Sequence, residues 1–213
     1  MKVFDFFRSS AAYRLRIALN LKGLHPEREF VHLRKNEQRS SGYLALNAQG
    51  FVPVLVTDGG DVLTQSLSII EYLDETRAQP PLLPSDPAAR ARVRSLALQV
   101  ACDIHPLNNL RVLSYLTGTL GVSEEQKNAW YKYWVDVGLE GLEIRLSRDP
   151  ATGRFCHGES PTLADICLIP QIANARRFAI DVEPYPTLTR IEAACSGIKA
   201  FADAAPALQP DAE

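Results

Sequence analysis

The chain reads as a small α/β domain over residues 1–80, a linker over 81–87 and an all-helical domain over 88–213. Three observations predict this. Strand and helix signals alternate through the first 80 residues and end in a β-hairpin and a helix. Residues 78–87 hold four prolines in ten positions, which marks a linker rather than an element. Beyond them, apolar residues recur at helical spacing.

Val3-Phe4-Asp5-Phe6-Phe7 is short, aromatic and β-branched, and predicts the first strand. Arg8-Ser9-Ser10 leads into a helix running from Tyr13 to Lys22, with Leu15, Ile17, Ala18 and Leu21 on a broad apolar face and Gly23 as its stop. Arg28 to Leu33 is the second strand, and Gly42 to Leu46 has helical potential. Val52 to Val56 is the third strand, starting beside Pro53, where a missing N–H is tolerated. Asp58-Gly59-Gly60-Asp61 turns the chain back into Val62-Leu63-Thr64. Gln65-Ser66 then opens a helix carrying Ile69, Ile70, Tyr72 and Leu73. In the second half, Val93, Leu96, Ala97, Val100, Ala101 and Ile104 share a helix that Pro106 should kink. Residues 123–147 form a long helix with Trp130, Trp134, Leu139, Leu142 and Leu146. Thr162-Leu163-Ala164-Asp165 is a capping box before the run Ile166 to Ile172, which contains Pro170. Short helices near 187–195 and 198–205 close the chain.

Composition narrows the function. The 213 residues carry 23 basic and 25 acidic side chains, a net charge of −2, with 46% hydrophobic residues. That balance supplies no basic stripe for nucleic acid. No apolar run approaches the ~18 residues that span a bilayer. Asp5 and Arg8 interrupt the stretch a signal peptide would keep apolar. Cys102, Cys156, Cys167 and Cys195 form no CxxC pair, and the four histidines complete no metal-ligand spacing. A cytoplasmic protein with reduced thiols and no metal is the expectation.

The candidate chemistry sits where strands meet helices. Arg8-Ser9-Ser10-Ala11-Ala12 opens the first helix, where free N–H groups favour an anion and a hydroxyl can donate to a thiolate. On spacing alone, Ser9 or Ser10 serves equally well as a helix cap. Ser66, after Gln65, could cap its own helix or hold a ligand carboxylate. Base rates make the Val52-Pro53 bond trans. In the helical half, His105, Asn108 and Asn109 lie about a turn apart, with Arg111 three residues beyond Asn108. They could line a cleft, although a buried histidine satisfied by a carbonyl is the commoner arrangement. Arg176-Arg177 is either a solvated pair or a carboxylate-recognising fork.

Together these residues resemble one family over the whole chain. Ser9-Ser10-Ala11-Ala12-Tyr13-Arg14-Leu15-Arg16-Ile17-Ala18-Leu19 resembles the N-terminal signature of the zeta class of glutathione transferases, the class that isomerises maleylacetoacetate and maleylpyruvate. Val52-Pro53 is similar to the cis-proline turn of the wider family, and Gln65-Ser66 with Glu71 to its γ-glutamyl site. Pro161 to Asp165 matches a capping box that many glutathione transferases share, and Pro170 to Phe178 a segment specific to the zeta class. The chain departs in having Ala11 where many members carry cysteine and Tyr13 where tryptophan is common.

The resemblance implies a thioredoxin-like first domain, a homodimer, reduced glutathione as a recycled cofactor and a role in aromatic catabolism. It implies catalysis by Arg8, Ser9 and Ser10, with Ser9 the preferred donor to the sulfur because it lies nearer the strand. Ser10, Gln49, Val52, Pro53, Gln65, Ser66, His105 and Asn109 would bind glutathione. Arg8, Arg111 and Arg177 would hold a dicarboxylic diketo acid, with Arg176 left to solvent. The implied reaction is reversible thiolate addition to the cis double bond, rotation, and elimination to the trans (fumaryl) acid. His105 and Asn109 lean towards maleylpyruvate as substrate, while Leu110 stands where that group carries a basic residue. A general conjugating or peroxide-reducing transferase and a non-catalytic glutathione-binding protein are the rival functions.

Overall fold

β1 (Lys2–Asp5) and β2 (Glu27–Phe30) run parallel, and α1 (Ser10–Leu21) connects them. β3 (Val54–Val56) pairs antiparallel with β1, and β4 (Val62–Thr64) pairs antiparallel with β3. The sheet order is therefore β2-β1-β3-β4. The computed structural model describes residues 1–213. It divides into one unit made of Met1–Leu82 with Ser196–Glu213, and a second made of Leu83–Cys195.

In the first unit, α1 turns Leu15, Ile17 and Ala18 inward, and α3 (Ser66–Thr76) turns in Ile69, Ile70 and Leu73; these bury with Val3, Val54 and Leu55. A second cluster joins Phe6, Phe7, Ala12, Val31, Tyr43, Val52 and Val54, with Leu46 of α2 (Ser41–Leu46) at its edge. It underlies both the β1–α1 turn and the segment before β3, so it fixes two of the candidate site segments together.

Several boundaries differ from the sequence reading, each for a local reason. β1 stops at Asp5, because the Asp5 carboxylate accepts the Phe6 N–H at 2.7 Å and Phe6 and Phe7 turn into the core. β2 ends at Phe30, and the backbone turns at His32, whose ring caps the next turn. β3 starts two residues later than expected, after a cis Val52-Pro53 bond. That bond follows the family resemblance rather than the base rate. Gln79-Pro80 is also cis, which no sequence signal marked.

The largest correction concerns residues 196–213. The sequence boundary placed them in the helical half, yet they pack with the first unit. Arg16 of α1 donates to the Ala204 carbonyl at 3.0 Å, Asn20 donates to the Ala200 carbonyl at 2.9 Å, and α9 (Lys199–Ala202) lies against α1. Short amphipathic helices do not announce which unit their apolar face will join.

The second unit is helical throughout. α4 (Pro87–Leu98) starts at Pro87, with Asp86 accepting the Ala89 N–H at 2.8 Å. It runs into a π-helical turn, Gln99–Ile104, and a 3-10 turn, His105–Asn108, so the regular helix breaks around Pro106 as expected. α5 (Leu110–Gly118), α6 (Glu124–Arg148), α7 (Leu163–Arg177) and α8 (Pro186–Ser196) follow. Asp165 opens α7 fully buried and accepts the Thr162 N–H at 2.8 Å, the Thr162 hydroxyl at 2.9 Å and the Cys156 N–H at 2.8 Å. The capping box expected from sequence thus also fastens the preceding loop.

Candidate functional site

The β1–α1 turn presents Arg8, Ser9 and Ser10. Ser9 is the N-cap of α1, and its hydroxyl oxygen accepts the Ala12 N–H at 3.2 Å while its carbonyl accepts the Tyr13 N–H at 2.8 Å. These bonds leave the Ser10 and Ala11 N–H groups open at the positive end of the helix. The cap uses a lone pair of Ser9, so the hydroxyl proton stays available to donate. Capping and donating are therefore compatible in one side chain. Ser10 is the first residue of α1 and is more buried than Ser9. The Arg8 guanidinium lies over the Phe7 ring, 5.1 Å from its centroid.

α3 supplies a second helix start in the same unit. Gln65 is its N-cap, held at φ 69°, ψ 116°, a conformation a non-glycine residue adopts at a cost. The Gln65 amide donates to Gln49 Oε1 at 2.9 Å, so two of the expected glutathione residues meet. Ser66 is buried at the first position of α3, and its oxygen accepts from Arg14 Nη1 at 3.4 Å. Arg14 lies one turn along α1 from Ser10, so this contact ties the two helix starts together. Val52 joins the apolar cluster below, and the neighbouring Phe51 carbonyl accepts from the Tyr43 hydroxyl at 2.6 Å and from Asn47 Nδ2 at 2.9 Å.

In the helical unit, His105 begins the 3-10 turn after the π-helical segment, partly buried. Asn109 is the N-cap of α5 and accepts the Arg111 N–H at 3.2 Å, while the Arg111 side chain is exposed. At the end of α7, Arg177 lies 5.0 Å from the Phe178 ring centroid and donates to Asn174 Oδ1 at 2.5 Å. Asn174 in turn donates to the Tyr131 hydroxyl, and Tyr131 stacks on Phe178 with ring centroids 3.8 Å apart. Burial pushes the Tyr131 phenol up to about 12, so it stays neutral across the physiological range. Arg176 is not simply solvated: its Nε and Nη2 grip Glu192 at 3.1 and 2.7 Å.

Sequence reasoning missed the supports. Asn174, three residues before Arg177, could have been read from helical spacing. The contacts that Tyr131 and the C-terminal segment make have no sequence signal. A groove of about 650 Å³ in the helical unit, lined by Leu98, Ile104, Trp134 and Val137 among others, contains none of the candidate residues.

Residues 8–76 match the family model "Glutathione S-transferase, N-terminal domain". The chain is 50% identical over 211 residues to a maleylpyruvate isomerase of Ralstonia sp., covering 99% of each chain. A holo structure of maleyl pyruvate isomerase, described as a bacterial glutathione S-transferase of the zeta class, superposes with a TM-score of 0.97 at 49% identity over 100% of both chains. A maleylacetoacetate isomerase from Methylobacterium extorquens AM1, solved with bound malonate and glutathione, gives a TM-score of 0.97 at 45% identity, again over 100% of both.

Proposed function

The chain belongs to the zeta class of glutathione transferases, and we propose that it is a glutathione-dependent cis-trans isomerase of maleyl diketo acids, maleylacetoacetate or maleylpyruvate. The observation that carries the reading is the pair of helix starts in one unit, α1 with Ser9 and Ser10 and α3 with Gln65 and Ser66, linked by Arg14. A peptide with a carboxylate at one end and a thiolate further along suits two such anion-favouring positions.

When bound, glutathione supplies a thiolate that adds to the double bond and leaves again. The residues of the chain supply the rest. The Ser9 proton and the open Ser10 and Ala11 N–H groups favour the ionised sulfur over the thiol, which is a weak nucleophile at its ordinary pKa. Gln65, oriented by Gln49, and Ser66 take the γ-glutamyl end, and Val52-Pro53 the peptide backbone. Arg8, which lies over the Phe7 ring, faces the charge that develops on the acid's oxygens; donors fixed in advance contribute most there. Within the helical unit, Arg177, held by Asn174, is a planar fork suited to a carboxylate.

The reading includes a homodimer. Leu98 and Val137, 44% and 46% exposed on the groove of the helical unit, support a covered face there. A cytoplasmic location rests on four free cysteines, three of them buried, and a place in aromatic catabolism rests on the substrate class. Turnover of a maleyl diketo acid with and without glutathione, followed by product analysis, tests the proposal. It also separates it from a conjugating transferase, which would yield a thioether, and from a binding protein, which would yield nothing.

A further inference from the structure

Phe7, the residue before Arg8, is gripped at both main-chain polar atoms. Its N–H donates to Asp211 Oδ2 at 2.9 Å, across 204 residues of sequence, and its carbonyl accepts from Arg16 Nη2 at 2.9 Å. Arg16 also donates to Asp5 at 2.8 Å and to the Ala204 carbonyl at 3.0 Å. Arg16 and Asp5 are 5% and 0% exposed. The other Asp211 oxygen is buried and makes no hydrogen bond, so the bond to Phe7 is the only one this carboxylate makes. Taking a carboxylate oxygen out of water for a single backbone bond is costly, and the neighbouring Arg16 charge offsets part of that cost. The bond falls on the residue whose ring carries Arg8 and whose carbonyl side leads into Ser9.

We infer that Asp211 is a positioning residue for the reaction: from the C-terminal segment it fixes the turn that presents Arg8 and Ser9 to the sulfur and the acid. The inference rests on the reading that this turn meets the thiolate. Tethering matters because a small misplacement of a preorganised donor costs far more rate than stability.

The test is the ultraviolet titration of the glutathione thiol bound to the full-length chain, alongside kcat/KM and thermal unfolding. Asp211→Ala should shift the bound thiol to a higher pKa and lower kcat/KM by about tenfold, given the sensitivity of catalysis to misplacement. Asp211→Asn keeps an oxygen to accept the Phe7 N–H and should restore most of both. If Asp211→Ala does not fold, Asp211→Glu, which keeps the charge but moves the acceptor by one methylene, should shift the thiol in the same direction. Ser9→Ala is the control for the underlying reading. A thiol pKa raised by Ser9→Ala but unmoved by Asp211→Ala or Asp211→Glu, whatever the melting temperature does, overturns the positioning role alone. A thiol pKa unmoved by Ser9→Ala overturns the reading of the turn itself.

Discussion

Ser9 accepts the Ala12 N–H at 3.2 Å through its hydroxyl oxygen and keeps its own proton, so one side chain ends the helix and still has a proton to donate. Two substitutions separate these uses. Ser9→Ala removes both, and should lower kcat/KM by about 10²-fold, the scale of losing one preorganised donor. It should also destabilise the fold by about 1 kcal/mol. Ser9→Gly should lose the rate but only a few tenths of a kcal/mol, roughly the difference between glycine and a polar cap. Ser10→Ala should keep near-normal kinetics. Steady-state rates with denaturant midpoints check all three.

Arg177 and Arg176 are neighbours with different partners, Asn174 and Glu192. Arg177→Lys should raise KM for the acid several-fold while KM for glutathione barely changes, because ammonium cannot copy the planar fork. Arg176→Lys should be nearly silent, since it alters an exposed pair. Arg8→Lys should behave like Arg177→Lys. Kinetics varying each substrate separately distinguish them, and a KM effect of Arg176→Lys without one at Arg177 would reverse the assignment.

Asp165 is the stability counterpart. It is fully buried and accepts three hydrogen bonds, so Asp165→Ala strands three donors. A loss of several kcal/mol is expected, at about 1–3 kcal/mol for each unsatisfied group. Calorimetry on the purified variant reads this directly, and the kinetic constants of whatever remains folded should be unchanged.

How much of this was legible beforehand follows from the range of each interaction. The order of β1, α1, β2, the hairpin and α3 could be read because period, turn chemistry and caps are local. Thr162 and Asp165 were legible for the same reason, being three residues apart. Pro53 was ambiguous locally, and the family resemblance pointed to the cis bond that is found; Ser9 and Gln65 were as ambiguous, and what is seen of them is their place at two helix starts. The packing of residues 196–213 onto α1 was not legible, because Asp211 reaches Phe7 and Arg16 reaches Ala204 across most of the chain. The support of Arg177 by Asn174 was readable in spacing, whereas the stacking of Tyr131 on Phe178 was not.

Leu98→Glu places a charge on the half-exposed apolar face of α4 and should convert a dimer to monomers by light scattering. A wild-type chain that runs as a monomer would remove the homodimer from the account.

The most direct measurement follows free thiol and product together while the enzyme turns over a maleyl diketo acid with a small amount of glutathione. The account predicts that many equivalents of trans acid form per glutathione, that the thiol concentration stays constant, and that omitting glutathione abolishes turnover. Loss of one thiol for each acid consumed, or full activity without glutathione, would contradict it.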